Sequence, residues 1–272
     1  DTRVNRRVAI KIQLGLGENS VSRERLAREA RLLALISDPH ILQIFDVGET
    51  ETGLPFIVTE FATGGTLRDL LKNTDLSFQT IAKIIESVAR GLDVAHKSGI
   101  IHRDVKPSNI LLNSSPENAT PEWLPKLGDF GLARTDDDPQ RLTQSSVLAG
   151  TPAYMSPEQI REPQLLTTST DIYSLGVTLY ESITGEVPFR GTTHTILHQI
   201  THVDPPWPHQ FRADVPQDLE LICLKAIAKS PNDRYTSAKE LADELSNWLH
   251  GRPILARKST RWESMVRWAR KN

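Results

Sequence analysis

The 272-residue sequence contains few of the residues that define several protein classes. It has one cysteine, Cys223, which excludes a disulfide scaffold and any cysteine-based zinc site. In the C-terminal half, the longest uncharged and mostly apolar run is residues 172–180, which is too short to cross a bilayer. The formal net charge is −2, so no overall electrostatic field favours binding to nucleic acid.

The composition is nevertheless that of a folded chain. Hydrophobic residues make up 38% of the sequence and charged residues 24%, which is far from a disordered composition. The length corresponds to about two domains or lobes. Charge is unevenly distributed, because the segment 251–272 carries seven basic residues and one acidic residue, Glu263. A compact body with a basic appendage is therefore predicted.

Hydrophobic periodicity predicts a β-rich region at the start of the chain. A strand is predicted over residues 8–12 and a helix over 22–36. Asp38-Pro39 is expected to end that helix, because the residue before a proline is displaced from the α region. Two apolar runs, 41–47 and 54–61, flank a turn-forming segment and predict a hairpin.

Beyond Gly64-Gly65 the pattern becomes mostly helical. The predicted helices cover residues 66–72, 78–97, 167–184, 219–228 and 237–249. The polar, proline-containing segment 113–125 is predicted to be a loop. The architecture expected from these elements is α+β, with a small β-rich lobe joined near residues 60–65 to a larger helical lobe.

Three short motifs carry the chemistry. The stretch His102-Arg103-Asp104-Val105-Lys106-Pro107-Ser108-Asn109 places an acid, a base and an amide within eight residues. It is followed by Asp129-Phe130-Gly131 and preceded, far upstream, by Val8-Ala9-Ile10-Lys11. In this order and spacing the motifs resemble the protein-kinase signature set of strand lysine, catalytic loop and metal-binding turn. The resemblance runs from residue 1 to about 250 and is to serine/threonine protein kinases of the bacterial, eukaryotic-like type.

The resemblance implies a protein-kinase-like two-lobe fold. Residues 1–61 would form a partial N-lobe that lacks its first two strands, 62–250 the C-lobe, and 251–272 a basic tail. The family's Gly-rich loop lies on the two missing strands. The start at Asp1 rather than Met favours a truncated sequence over a protein without a phosphate lid. We expect weak ATP binding by this fragment, because the backbone amides that cover the phosphates are absent.

The resemblance also implies catalytic roles and two cofactors, ATP and Mg²⁺. Asp104 would accept the hydrogen bond of a substrate hydroxyl and orient it for in-line attack, and Lys106 would neutralise the γ-phosphate. Asp129 would hold the Mg²⁺ that bridges the nucleotide phosphates, and Asn109 would hold a second Mg²⁺. Carboxylate and amide oxygens are ligands that suit this hard cation. Phosphoryl transfer is catalysed mainly by such positioning and charge neutralisation.

Lys11 is expected to bind the α- and β-phosphates of ATP and to pair with a glutamate on the following helix. Glu29 stands where the family places this partner, and Glu24 is the alternative. Glu29 borders the apolar face of the predicted helix, whereas Glu24 lies among arginines. The helical register therefore favours Glu29.

The adenine site is also implied by the resemblance. Thr59 would be the gatekeeper, and Glu60-Phe61-Ala62 would be the hinge whose backbone binds adenine. Ala9 and Leu111 would enclose the adenine ring, although both are expected in the core in any case.

A packed column is expected to join the two lobes. Its members, by resemblance, are Leu33, Ile44, His102 and Phe130. His102 is therefore expected to be a buried, hydrogen-bonded core histidine rather than a general base.

Three further matches indicate a protein substrate rather than a small molecule. Gly150-Thr151-Pro152 and Ser156-Pro157-Glu158 resemble the end of a kinase activation segment, with serine in place of the usual alanine. Asp171, on an otherwise apolar helix, resembles the residue that supports the catalytic-loop backbone. Arg234 is expected to pair with Glu158, because burial of either charge alone would be strongly destabilising.

Regulation by phosphorylation is expected in the segment between Asp129 and Glu158. Arg103 resembles the residue that binds a loop phosphate in activated kinases, and such a phosphate can order a loop through arginine pairs. Autophosphorylation is expected to activate the protein, with self-association for reaction in trans. The alternative is that these hydroxyls are merely solvated. The candidate residues are Thr143, Ser145 and Ser146, with Thr135 and Thr151 in the same loop.

Two interpretations of the basic tail remain open. It resembles the juxtamembrane linkers of bacterial receptor-like kinases, in which basic residues are attracted to an anionic inner leaflet. A cytoplasmic domain, at the inner face of the membrane if a span follows residue 272, would then be expected. Alternatively, the tail is a helix that docks on the large lobe through Trp262, Met265 and Trp268.

Two other functions compete with that of a protein kinase. A pseudokinase would bind nucleotide or act as a scaffold without phosphoryl transfer. Such proteins usually lack catalytic groups, whereas Lys11, Asp104, Asn109 and Asp129 are all present here. A small-molecule kinase is disfavoured by the three matches to the protein-substrate segment.

Overall fold

The computed structural model describes residues 1–2, 4–12, 28–114, 123–130 and 152–258. These residues form a small lobe built on a β-sheet and a larger, mainly helical lobe, as the sequence predicts. Within the described residues, no helix combines the length and the apolar character that a bilayer span requires.

The small lobe contains a three-stranded antiparallel sheet. Its strands are β1 (Val8–Ile12), β2 (Ile44–Glu49) and β3 (Pro55–Glu60), and β3 lies in the centre. The turn between β2 and β3 closes with a hydrogen bond from the Thr50 N–H to the Leu54 carbonyl. Gly53 in this turn has a φ of 74°, which glycine adopts at no steric cost. The predicted strand and hairpin are confirmed.

One helix packs against this sheet. Residues 28–34 are helical and are labelled α1, while 13–27, which include Glu24, lie outside the described residues. Ala30 and Leu33 are buried, in agreement with the apolar face predicted from the sequence. Beyond the helix, the Asp38 side chain accepts a hydrogen bond from the backbone N–H of His40. This bond fixes the turn around Pro39 that precedes β2.

The large lobe is built from α2 to α8 in chain order. Thr66 caps the first of them in a capping box with Asp69, and Ser77 caps the second. Their bounds are α2 Leu67–Asn73, α3 Phe78–Lys97, α4 Pro157–Arg161, α5 Ser169–Thr184, α6 Thr193–His202, α7 Gln217–Ala226 and α8 Ala238–Leu249. Short 3-10 turns occur at Pro107–Asn109, Pro152–Tyr154, Pro208–Gln210, Pro231–Asp233 and Leu255–Lys258.

Helix α5 is the buried centre of the large lobe. Nearly all of its side chains are inaccessible to solvent, including that of Asp171. It packs closely on α7 at Gly176, where an added Cβ would lie 2.7 Å from Ala226 Cβ and from Ile227 Cγ2. Glycine at this position therefore allows the two helices to approach.

The prediction of a loop over residues 113–125 is wrong at both of its ends. Strands β4 (Ile110–Ser114) and β5 (Trp123–Leu127) form a two-stranded antiparallel sheet, in which Leu112 pairs with Pro125. The N–H and the carbonyl of Leu112 bond to Gly65 and Gly64 rather than to β5, so the missing N–H of Pro125 breaks no hydrogen bond of the ladder. Its carbonyl is hydrogen-bonded to His40 Nδ1 at 3.1 Å. Residues 115–122, between the strands, lie outside the described part of the chain.

Candidate active site

The segment 102–109 connects α3 to β4 and is anchored to α5 by Asp171. The Asp171 carboxylate is fully buried and accepts the backbone N–H groups of His102 at 2.8 Å and Arg103 at 2.7 Å. His96 Nε2 lies 2.8 Å from the same carboxylate. A buried charge requires such hydrogen bonds to offset its desolvation. Asp171 therefore lies where the resemblance places a support for this loop.

The Asp171 bonds hold an unusual backbone conformation. Arg103 has a φ of 67°, in the left-handed region that non-glycine residues rarely adopt. Gln159, on α4, adds a hydrogen bond from its Nε2 to the Arg103 carbonyl at 2.9 Å. Two separate elements of the large lobe thus fix the backbone immediately before Asp104.

His102 is a buried histidine with both ring nitrogens engaged. Burial lowers its pKa, so the imidazole is neutral. Its Nε2–H donates to the Gly128 carbonyl at 2.8 Å, and its Nδ1 accepts the Asp104 N–H at 3.2 Å. The ring lies 4.5 Å from that of Phe130, centroid to centroid. The other two predicted members of the column, Leu33 and Ile44, are also buried.

Asp104 is held by two neighbours in its own loop. Lys106 Nζ lies 2.7 Å from Asp104 Oδ2. Asn109 Nδ2 donates to the Asp104 carbonyl at 2.8 Å and to its Oδ2 at 3.1 Å. The structure therefore brings together all three residues predicted to be catalytic.

Lys11, on β1, contacts Asp129, the first residue of the Asp129-Phe130-Gly131 motif. Its Nζ lies 2.7 Å from Asp129 Oδ1, and both side chains are about half exposed. Asp129 has a φ of 54°, another left-handed position in this site. Glu29 is half-buried on α1, and its pairing with Lys11 stays a prediction. Sequence reasoning did not anticipate that Lys11 would contact Asp129 directly.

The residues at this point fit magnesium. The Asn109 amide is oriented by the two bonds that its Nδ2 donates, and its Oδ1, which also accepts from the Ser108 hydroxyl at 3.3 Å, would be its ligand atom. Together with the Asp129 carboxylate this gives a set of hard oxygen donors. Among the described residues, no three His, Cys, Asp or Glu side chains form a metal-binding group. Magnesium needs few protein ligands, because it retains waters and binds substrate phosphates.

The segment that links the lobes lies between β3 and α2. Thr59 pairs with Ala9 in the sheet register, and its hydroxyl donates to the Glu60 carbonyl at 3.2 Å. Leu111, on β4, packs near Gly128, where an added Cβ would lie 3.0 Å from its Cδ1. Ala62 follows β3 and is half-buried. Thr59 and Ala9 are thus neighbours in the sheet, and the enclosure of adenine by Ala9 and Leu111 stays a prediction.

A buried ion pair stabilises the far side of the site. Arg234 Nη1 and Nη2 lie 2.6 Å and 2.8 Å from the two carboxylate oxygens of Glu158. The Thr170 hydroxyl also donates to this carboxylate, at 3.1 Å. Burial favours the neutral acid, but Arg234 and Thr170 outweigh it and lower the pKa of Glu158. The predicted Glu158–Arg234 contact is present.

Other functional contacts were missed by sequence reasoning. The Tyr154 hydroxyl donates to Glu181 Oε2 at 2.5 Å, and the Tyr154 carbonyl accepts from the Ser174 hydroxyl at 2.8 Å. Burial and the nearby Glu181 carboxylate raise the pKa of Tyr154, so its hydroxyl remains a donor. His96 and Gln159 also escaped notice, although Gln159 directly follows Glu158 in the motif. Each of these contacts joins residues that are distant in sequence.

Several predicted positions lie outside the described residues. They are Gly131 of the metal-binding turn and the candidate phosphorylation residues Thr135, Thr143, Ser145, Ser146 and Thr151. The tail residues Trp262, Met265 and Trp268 also lie outside the described part of the chain.

Comparison with known proteins gives a consistent result. The model of the protein kinase domain family matches residues 1–246. Serine/threonine-protein kinase PknB of Mycobacterium leprae is 38% identical over 260 residues, covering 93% of this chain and 40% of the relative. The PknB protein of Mycolicibacterium smegmatis is 39% identical over 253 residues, or 90% of this chain and 39% of the relative. A probable serine/threonine-protein kinase PknB of Bifidobacterium longum is 36% identical over 264 residues, which cover 92% of this chain and 37% of the relative. The chain thus spans about 40% of the length of these curated relatives.

Proposed function

The chain belongs to the protein kinase domain family, and on that premise we propose that it transfers the γ-phosphoryl group of ATP to serine and threonine hydroxyls of protein substrates. One observation carries the proposal. The Asp104 carboxylate is held by Lys106 and Asn109 on a loop that Asp171 anchors, next to a cleft where Lys11 meets Asp129.

Asp104 is the group that meets the substrate hydroxyl. Its carboxylate accepts the hydroxyl's hydrogen bond and directs the oxygen lone pair toward the phosphorus. The bond from Asn109 fixes the carboxylate's orientation, and Lys106 supplies a positive charge beside it. The same ammonium would neutralise charge on the transferred phosphoryl group. Positioning of this kind accounts for most of the catalysis in phosphoryl transfer.

Lys11 and Asp129 bind the phosphate end of ATP. Lys11 provides an ammonium for the α- and β-phosphates, and its partial exposure leaves it accessible to them. Asp129 and Asn109 would hold Mg²⁺, which when bound supplies neutralisation of the developing phosphate charge. The Lys11–Asp129 ion pair keeps the two groups at the same point in the cleft.

Adenine binds at the junction of the lobes. Ala9 and Leu111 supply apolar surfaces above and below the ring, and the backbone of Glu60 and Ala62 supplies hydrogen bonds to its edge. Thr59 leaves room behind the base, because its side chain is small.

A protein substrate and control by phosphorylation complete the proposal. The Glu158–Arg234 pair supports a substrate-binding segment of the kind that protein-directed kinases use. Autophosphorylation in trans at Thr143, Ser145 or Ser146 would add a charge that Arg103 can bind. Mass spectrometry of the wild-type protein and an Asp104→Asn variant, each incubated with ATP, tests this. Identical spectra of the two proteins would contradict autophosphorylation.

We also propose that the domain works in the cytoplasm at a membrane surface. The seven basic residues of 251–272 support electrostatic attraction to anionic lipid. Sedimentation with vesicles rich in anionic phospholipid, with and without residues 252–272, tests this part. Equal binding of the two proteins would remove the membrane proposal and leave the kinase proposal intact.

The principal experiment is phosphate transfer from γ-labelled ATP with Mg²⁺ to a generic protein substrate, followed by phosphoamino-acid analysis. Label on serine and threonine is expected, with loss of transfer in Asp129→Asn. Asp93→Asn is the matched control, since Asp93 forms an ion pair with Lys97 on α3 outside the site. Nucleotide binding without any transfer would contradict the proposal and indicate a pseudokinase.

A further inference from the structure

The side chain of Glu60 has contacts that its role in the hinge does not require. Lys126 Nζ lies 2.9 Å from Glu60 Oε2, and Asn113 Nδ2 donates to Glu60 Oε1 at 3.2 Å. The backbone N–H of Gln43 adds a third bond, to Oε2 at 3.3 Å. Lys126 and Glu60 are largely buried, with side-chain exposures of 12% and 19%. A single carboxylate thus ties the end of β3 to the β4–β5 sheet of the other lobe.

Asn113 holds the same segment at its other end. Its Oδ1 accepts the backbone N–H of Thr63 at 3.1 Å, while its Nδ2 reaches Glu60. One side chain therefore spans residues 60–63, which contain the whole hinge.

The exit from the hinge is pinned to β4 as well. The Gly64 N–H donates to the Leu112 carbonyl at 2.8 Å, and the Leu112 N–H donates to the Gly65 carbonyl at 2.9 Å. A Cβ at Gly64 would lie 2.6 Å from the Leu112 oxygen, so this approach requires glycine. The hinge is thus held at its start, its end and its exit.

The β4–β5 sheet presents these groups beside the adenine surface. Leu111 and Asn113 are two residues apart on β4 and so point to the same face. Lys126 lies opposite Leu111 in the strand register and shares that face. Leu111, the apolar surface under the base, therefore stands on the same rigid face as the two residues that hold Glu60.

We propose that Glu60, Asn113 and Lys126 form a brace that sets the distance between the hinge backbone and the Leu111 surface, and so determines selectivity for adenine. The three are positioning residues, since their side chains act through the hinge. This inference rests on the proposed function, because it assumes that the hinge backbone binds the base. The phosphate-binding groups, Lys11 and Asp129, lie outside the brace.

The test compares binding of ADP and GDP, with Mg²⁺, to the whole protein by calorimetry. Lys126→Met removes the charge and keeps the apolar stem. It should weaken ADP binding about 10-fold, which corresponds to ~1.4 kcal/mol, while GDP binding changes less than about 2-fold. Lys126→Arg should restore ADP binding to within about 3-fold of wild type, because it returns the charge. Lys97→Met, the same substitution at an exposed lysine that pairs with Asp93 on α3 away from the hinge, should leave both affinities unchanged.

Asn113→Ala provides a second test and decides the matter if Lys126→Met does not fold. It should also lower the preference for ADP over GDP. Equal losses for both nucleotides, or an unchanged preference in a folded variant, would overturn the brace while leaving the kinase proposal standing. A wild-type protein that binds neither nucleotide would overturn the proposed function and this inference with it.

Discussion

The Asp171 carboxylate accepts a hydrogen bond at 2.8 Å from the backbone N–H of His102, a residue 69 positions earlier in the chain. The helix at the centre of the large lobe thus supports the loop that carries Asp104. Because the Arg103 N–H and His96 Nε2 share the same carboxylate, the loop 102–109 and α3 are both held by one buried side chain.

Replacement of Asp171 by alanine should therefore affect both stability and catalysis. Two backbone N–H groups would lose their buried acceptor, and each such loss costs about 1–3 kcal/mol. We expect the free energy of unfolding in urea to fall by about 2–6 kcal/mol. In the protein that remains folded, kcat should fall more than KM for ATP changes, since the nucleotide site is formed elsewhere. Wild-type stability in this variant would contradict the anchoring role.

The Glu158–Arg234 pair makes a prediction about coupling. Removal of one partner leaves an uncompensated buried charge, so Glu158→Gln and Arg234→Met should each destabilise the protein by about 3–5 kcal/mol. The double variant should be much less destabilised than the sum of the two, because neither charge is then left alone. Denaturant unfolding of all four proteins measures this coupling. Additive effects would show that the two side chains do not depend on each other.

Lys229 makes a prediction about pH. Its ammonium donates to the carbonyls of Gln199 and Ile200 at the end of α6, but burial lowers its pKa to about 8 from 10.5. Between these two values the unfolded chain binds more protons than the folded one, so Lys229 contributes increasing stability as pH rises through this interval. The difference in unfolding free energy between wild type and Lys229→Met should therefore grow in favour of wild type from pH 8 to 10.5. A difference that is flat or shrinks would contradict this.

Gly176 tests the packing of α5 on α7. An alanine there would place its Cβ 2.7 Å from Ala226 Cβ and from Ile227 Cγ2, and overpacking of this kind costs about 1–3 kcal/mol. Gly176→Ala should lower the melting temperature, and Ala226→Gly in the same chain should recover part of the loss by making room. Gly185→Ala is the comparison variant. Its added Cβ would have no atom within 4 Å, so any loss of stability there comes from backbone strain at φ 78° and not from overpacking. A Gly176→Ala protein as stable as wild type would show that the helices can separate freely.

The sequence predicted structure best where hydrophobic periodicity and helix capping alone determine an element. The bounds of α3, Phe78–Lys97, agree with its predicted helix, because an apolar period and the Ser77 cap specify both face and start. The loop prediction failed at Pro125, because a proline signals a loop locally but is tolerated here opposite Leu112, whose backbone groups bond outside the sheet.

The sequence predicted the residue types of the site and, through the resemblance, the Glu158–Arg234 pair and the support by Asp171, but not its other contacts. The motifs identify Asp104, Asn109 and Asp129, but nothing local indicates that His96 contacts Asp171, 75 positions away, or that Lys11 contacts Asp129. Such contacts depend on how the lobes and helices pack. The proposed hinge brace could not be predicted from the sequence for the same reason, since its members lie on two different sheets.

The most direct test of the account is the rate of phosphate transfer by Asp104→Asn, measured beside its affinity for ADP. The substitution keeps the shape of the side chain but removes the negative charge of the carboxylate and replaces one of its two acceptor oxygens with a donor NH2 group. We predict that kcat falls at least about 100-fold while ADP affinity stays within about 2-fold of wild type. Transfer at the wild-type rate by this variant would contradict the role assigned to Asp104, and with it the proposed mechanism.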